Sequence, residues 1–185
     1  MCANLASKDW TLATLSTKTC GLGLRSTSRH SVAAYLASRA ACREFALKLD
    51  PNHARDFVTP DAPPAKVLAE YNRRVGPESR QVASTLCEKP PMQHDLSAHL
   101  DNQTLDCLKQ DALNDGDQAL LAHYSLTSAP NAGQWLHALP NPATRNKVDP
   151  LLYKTMIQQR LRAKIFDSEF ACPLCDGVMD VFADH

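Results

Sequence analysis

Residues 28–49 read SRHSVAAYLASRAACREFALKL, and this run decides the fold class. Val32, Leu36 and Ala40 recur every four residues, with Ala33 and Ala37 beside them. That spacing lays apolar side chains along one face of a helix. The small alanines let a second helix approach closely. Asp50-Pro51-Asn52 ends the run, because a residue before proline is pushed out of helical geometry. The spacing predicts a helix over 28–49.

Working outward, the same signals recur on both sides. Upstream, Leu12–Arg25 is rich in Thr and Ser and ends in Gly21-Leu22-Gly23-Leu24-Arg25. The paired glycines allow a turn or close backbone packing. A dinucleotide-binding loop would need a third glycine and a preceding apolar strand, and both are missing. Downstream, a Pro- and Asp-containing loop covers 52–64. A helix over 64–75 then carries Val67, Leu68, Tyr71 and Val75 on one face. Gly76-Pro77 stops it, a third helix is predicted over 78–87, and Lys89-Pro90-Pro91 breaks the chain again. These prolines are read as the boundary between an N-terminal helical half, 1–89, and a C-terminal half, 92–166.

In that second half Leu96 and Leu100 form one short helical pair, and Leu105, Leu108 and Ala112 another. Asn114-Asp115-Gly116-Asp117 is a turn, followed by a helix through Leu120, Leu121 and Tyr124. Ser128 is read as an N-cap with Pro130 early in a short helix holding Trp135, Leu136 and Leu139, and Trp135 reads as a core anchor. Asp149-Pro150 is the strongest start signal in the chain, a capping carboxylate before a proline at the first helical position. The helix it opens runs to about Ile165, with Tyr153, Ile157, Leu161 and Ile165 as its apolar stripe. The predicted fold is therefore all-α: an irregular multi-helix bundle in two loose halves with a short zinc-knuckle-like segment over 167–185.

Composition agrees. Hydrophobic residues make up 44% of 185, enough for a packed core, whereas aromatics are only 6%. Ala and Leu fill most apolar positions and favour helix over strand. Twenty basic and twenty acidic residues cancel, so net charge excludes nothing. The charge is unevenly spread, with basic islands in the first fifty residues and over 145–164. Such islands fit a polyanion or simply a solvated helix face. Seven scattered cysteines do not make a secreted disulfide framework. No signal peptide is visible and no stretch nears the ~20 apolar residues of a membrane span. An intracellular protein, nuclear or cytoplasmic and without a membrane partner, is the expectation.

The chemistry concentrates at the end, in Cys172-Pro173-Leu174-Cys175 and, after nine intervening residues, His185. Two thiolates on one tight turn can reach a single zinc ion, and a histidine at this distance supplies a third ligand. A closed structural site needs four. Asp180, Asp184, water or a terminal carboxylate are the candidates for the last place. The pair is also compatible with a redox couple. Elsewhere no nucleophile carries a local signature, and no paired acidic motif of the metal-dependent polymerase kind is present.

Three segments together carry a family resemblance. Cys20-Gly21-Leu22-Gly23-Leu24-Arg25-Ser26, followed by His30 and Ala33-Ala34-Tyr35-Leu36-Ala37-Ser38, resembles the segment after the polymerase domain of non-LTR (LINE-type) retrotransposon reverse transcriptases. Residues 128–140, with Ala132-Gly133-Gln134-Trp135-Leu136-His137-Ala138-Leu139-Pro140, resemble the Ala-Gly-x-Trp-Leu-x-Ala-Leu-Pro segment of the same proteins. Cys172, Cys175, Asp180, Asp184 and His185 resemble their terminal knuckle. Order and approximate spacing agree across nearly the whole chain. In three places this chain departs from a family glycine: Cys20 replaces the first of a glycine pair, Arg162 stands in a Leu-Gly-Leu pattern, and Ala183 precedes Asp184-His185. The family's knuckle also continues to a further cysteine.

The resemblance implies a non-catalytic region whose parent protein carries an upstream polymerase domain. Read this way, the chain is a gene-model fragment, a decayed element or a domesticated remnant. It implies a zinc cofactor held by Cys172, Cys175 and His185. RNA or DNA is the implied partner, with Arg25, Arg29, Arg160, Arg162 and Lys164 as candidate phosphate contacts. The rival expectation is a helical scaffold or interaction protein with no nucleic-acid role.

Overall fold

A computed structural model describes residues 7–52, 57–138, 141, 143 and 147–184. Among them the chain is mainly helical: α1 Ser7–Ala13, α2 Thr27–Ala41, α3 Arg43–Leu49, α4 Pro63–Arg74, α5 Ala83–Glu88, α6 Gln93–Asn114, α7 Gln118–Thr127 and α8 Pro150–Arg160. The one sheet among the described residues pairs β1 Phe170–Ala171 antiparallel with β2 Val178–Met179. The chain forms two compact units, one of residues 25–107 and one of residues 1–24 with 108–185. The division falls after Leu24 and within α6, not at Pro90-Pro91. Leu86 of α5 and Leu96 of α6 share one core, so those prolines turn the chain inside a unit.

The unit of residues 25–107 is built as the periodicity predicts. Val32, Ala33, Leu36 and Ala40 of α2 are buried against Leu68, Tyr71 and Val75, with Leu86, Leu96 and Leu100 completing the core. Tyr71 is fully enclosed, and its hydroxyl bonds with His99 Nδ1 at 3.0 Å. The predicted helix over 28–49 divides at Cys42 into α2 and α3. No residue of α3 is buried, so no packing holds the two pieces in one line. The helix predicted over 78–87 is reduced to a 3₁₀ turn at Pro77–Ser79 and then α5. Asn72 explains the loss. Its Oδ1 accepts from Gln81 N–H and its Nδ2 donates to Gln81 C=O, both at 2.8 Å, which pins the backbone outside a helix. In the opposite sense, the two short leucine pairs after Met92 are one 22-residue helix, α6. Residues 101–104 contain no glycine or proline to interrupt it.

In the other unit Asp149 caps α8 as predicted, its carboxylate accepting from the Leu151 and Leu152 N–H groups. Ser128 is not an N-cap. It closes α7, its hydroxyl donating to the Tyr124 carbonyl at 2.6 Å, and only a 3₁₀ turn, Gln134–His137, follows. Trp135 is half-buried, edge-on to Tyr153 with ring centroids 6.2 Å apart. Helix α8 stops at Arg160 rather than near Ile165. Arg162 takes a left-handed backbone (φ 49°), so its N–H bonds to Gln159 C=O and that of Ala163 to Gln158 C=O. This is a Schellman stop with arginine where glycine is the usual residue.

Candidate metal and nucleic-acid site

The end of α8 organises the segments singled out in the sequence, through two arginines facing different ways. Arg160 is buried, and it spends its whole guanidinium on backbone. Nε donates to Gly21 C=O at 2.9 Å, Nη1 to Ala132 C=O at 3.2 Å and Nη2 to Thr17 C=O at 2.8 Å. It therefore joins the loop of Cys20-Gly21 to the turn of Ala132-Gly133. Both glycines are required by close approach. A Cβ on Gly21 would run into the Leu15 carbonyl, and one on Gly133 into the Thr17 carbonyl. Burial lowers the Arg160 pKa from its ordinary value, and the group remains a cation. The same burial pushes the Cys20 thiol up to about 11, so that cysteine is inert packing. His123 Nε2 meets the Arg160 carbonyl at 3.1 Å, and burial lowers its pKa. His137 Nε2 meets Thr17 Oγ1 at 2.9 Å.

Arg162 reaches the terminal hairpin. Its Nη2 lies 2.7 Å from Asp184 Oδ2, and its guanidinium stacks 4.8 Å from the Phe182 ring centroid. Asp180 organises the same turn, its Oδ1 accepting from the Phe182 N–H at 2.9 Å and the Asp184 N–H at 2.8 Å. Ala183 sits between them with a left-handed backbone (φ 66°). Two backbone bonds, Ile165 N–H and Phe166 N–H to Val181 C=O, tie the hairpin to the chain leaving α8.

The cysteines occupy the turn between β1 and β2. Cys172 continues the ladder, its N–H bonding to Gly177 C=O at 2.8 Å. Cys172 Sγ accepts from Leu174 N–H at 3.4 Å and Cys175 Sγ from Gly177 N–H at 3.3 Å. The Leu174 N–H lowers the Cys172 thiol pKa, favouring the thiolate that a metal requires. The third expected ligand, His185, lies outside the described residues. Among the described residues no group of three His, Cys, Asp or Glu side chains is arranged to hold a metal. Asp180 and Asp184, weighed as fourth ligands, are engaged in the turn and with Arg162.

The five candidate phosphate contacts divide between the two units. Arg160 is in the core, bonded to three carbonyls, and Arg162 is engaged with Asp184 and Phe182. Lys164 is exposed beside the hairpin. In the other unit, Arg25 is exposed just ahead of α2. Arg29 is half-buried and lines a cleft of about 380 Å³ with Arg74, whose Nη1 donates to Ser28 C=O at 3.1 Å. Sequence reasoning missed Arg74, which on the pattern is simply the last polar turn of a helix. The role of Arg160 was also invisible, because its partners lie 139 and 143 residues away.

No protein-family model, curated protein or solved structure matches the chain. Among the described residues no helix is long and apolar enough to cross a membrane.

Proposed function

We propose that this chain is a non-catalytic nucleic-acid-binding region related to the part of non-LTR reverse transcriptases beyond the polymerase domain, with a zinc knuckle at its end. One observation carries the relationship. Cys20, Arg162 and Ala183 are the three positions where this chain departs from a glycine of the family's pattern, and each has a left-handed backbone, with φ of 60°, 49° and 66°, as has Asn131 at 68° outside that pattern. Such a conformation costs an ordinary residue about 1–2 kcal/mol and glycine almost nothing. A left-handed backbone under non-glycine side chains at these three positions fits descent from a glycine-bearing ancestor.

The hairpin supports the cofactor. Cys172 and Cys175 lie on one tight turn, each sulfur receives a backbone N–H, and His185 follows the turn ordered by Asp180. Zinc bound there would serve as a structural cross-link between the turn and the chain end. Arg25, Arg29 and Lys164 supply the cationic contacts.

Fluorescence anisotropy with single-stranded RNA and DNA across a salt series tests the proposal. Three phosphate contacts give a slope of roughly −2 in log K against log salt. Cys172→Ser with Cys175→Ser is expected to abolish stoichiometric zinc uptake and weaken nucleic-acid binding. Affinity indifferent to salt, or a double variant that binds as well as the parent, rejects the proposal and leaves a helical scaffold.

A further inference from the structure

The unit of residues 25–107 holds a second polar site that shares Arg25 with the reading above and otherwise stands apart from it. A cleft of about 660 Å³ opens between the starts of α2 and α6. Arg25, Ser26 and His30 line it from one side, and Gln93, His94 and Ser97 from the other. Both helices are long, 15 and 22 residues, and each presents its N-terminal end, where unpaired N–H groups carry partial positive charge. At α2 the cap residue leaves that end open. Ser26 makes no side-chain capping bond, and its Oγ meets Ser28 Oγ instead, at 3.1 Å.

A second observation is independent of the helix ends. Ser97 is 1% exposed, and its Oγ has no hydrogen-bond partner among the described residues. A buried hydroxyl without a partner is costly, so something that accepts or donates there is expected. Behind it lie Asp101 and His30. Asp101 Oδ1 lies 3.4 Å from His30 Nε2, and His30 Nδ1 lies 3.5 Å from Arg25 Nη1. Because both ring nitrogens of His30 face these neighbours, His30 is not a base for Ser97, and the Ser-His-Asp set is not a hydrolytic one. The His30 ring meets the Arg25 guanidinium, and both line the cleft.

The character of the ligand follows from the lining. No carboxylate lines the cleft, and Asp95, the acid nearest in sequence, is paired with His94 at 2.9 Å. A cation would be opposed by Arg25 and by two helix ends. An apolar molecule would leave Ser97 unpaired. An oxyanion with acceptors on several sides satisfies a forked guanidinium, a hydroxyl and backbone N–H groups together. The space greatly exceeds one small anion, so the anion arrives on a larger body. We propose that this cleft binds the phosphate group of a phosphate ester, with Arg25 and Ser97 as side-chain donors between the ends of α2 and α6. The phosphate can be the terminal group of a small phosphomonoester or a diester in a nucleic-acid backbone.

The test is a ¹⁵N NMR titration of the full chain at constant ionic strength. The probes are inorganic phosphate, adenosine monophosphate and a trinucleotide without a terminal phosphate. Saturable shifts centred on Ser97, His30 and Gln93 are expected. Arg25→Ala and Ser97→Ala should each weaken binding about tenfold or more. In phosphate-free buffer Ser97→Ala should keep or raise the melting temperature, since it removes an unpaired hydroxyl, and this separates lost binding from lost folding. Tighter binding of the monophosphate assigns the site to a terminal phosphate, and tighter binding of the trinucleotide assigns it to the backbone diester. The variant lacking Cys172 and Cys175 should bind phosphate unchanged, so failure of the knuckle leaves this site standing. No saturable shift with any probe, or equal affinity in both cleft variants, overturns it.

Discussion

The two units of this chain are closed by different means. Residues 25–107 close on aliphatic side chains around a buried tyrosine: Val32, Leu36, Leu68, Tyr71, Leu86 and Leu96. The unit of residues 1–24 and 108–185 closes on polar knots, in which Arg160 holds three carbonyls, Arg162 holds Asp184 and Asp180 holds two backbone N–H groups. The first means is periodic and repeats every turn of a helix. The second depends on single residues: Arg160 and Asp180 bond to backbone and Arg162 to a carboxylate.

The contrast can be broken at its strongest point. Replacing Arg160 by Met leaves the carbonyls of Gly21, Ala132 and Thr17 without their donor, at a cost of about 3–5 kcal/mol. Lysine should rescue little, since one ammonium cannot fork to three acceptors. Leu36→Ala in the apolar unit should cost about 2–5 kcal/mol by leaving a cavity. Denaturant melts give the sizes, and amide exchange shows where each loss is felt. Arg160→Met should speed exchange over 12–24 and 131–137 before α2 and α4. Uniform exchange across the chain would mean that the knot is not what closes its unit.

The same contrast explains what was legible beforehand. Helix α4 begins and ends within one residue of its predicted limits, and Asp149-Pro150 marks the start of α8, because apolar spacing and capping are local signals. The first half of the predicted helix over 78–87 is lost because Asn72 captures Gln81 from nine residues away. Ser128 reads equally well as the start of a helix or the end of one, and only its bond to Tyr124 decides. At the candidate site the Cys172–Cys175 turn was plain from spacing. Arg160 and Arg162 were read as surface cations because a sequence displays charge, not the carbonyl or carboxylate it meets.

A smaller effect sharpens the argument from left-handed backbone. Ala183→Gly should stabilise the hairpin by about 1 kcal/mol, because it relieves the positive φ and removes only a methyl group. An increase in the melting temperature checks it, and a decrease would show that the turn does not want glycine. Arg162→Gly is the instructive partner. It relieves the same strain but loses the Asp184 pair and the Phe182 stack, so it should fall short of Ala183→Gly.

The smallest expected effect is a pH dependence. Burial holds the His123 pKa below its ordinary value of about 6.5. The folded state thus binds this proton less readily than the unfolded chain. The contribution is fully present above the unfolded value and is lost as pH falls from there through the folded pKa. Stability should therefore decline modestly below about pH 6.5, and His123→Gln should flatten that decline. An unchanged slope in the variant would place the titration elsewhere.

The reach of Arg160 has a consequence for how the protein is made. Its acceptors at Gly21 and Thr17 precede it by 139 and 143 residues. At roughly 5–20 residues per second, a ribosome adds Gly21 about seven to twenty-eight seconds before it supplies the arginine. Residues 25–107 are contiguous and can close on their own core in that interval, whereas Leu12, Ala13 and Leu15 wait for a partner not yet translated. Residues 12–24 of the nascent chain are thus open to chaperones and proteases until α8 has been made.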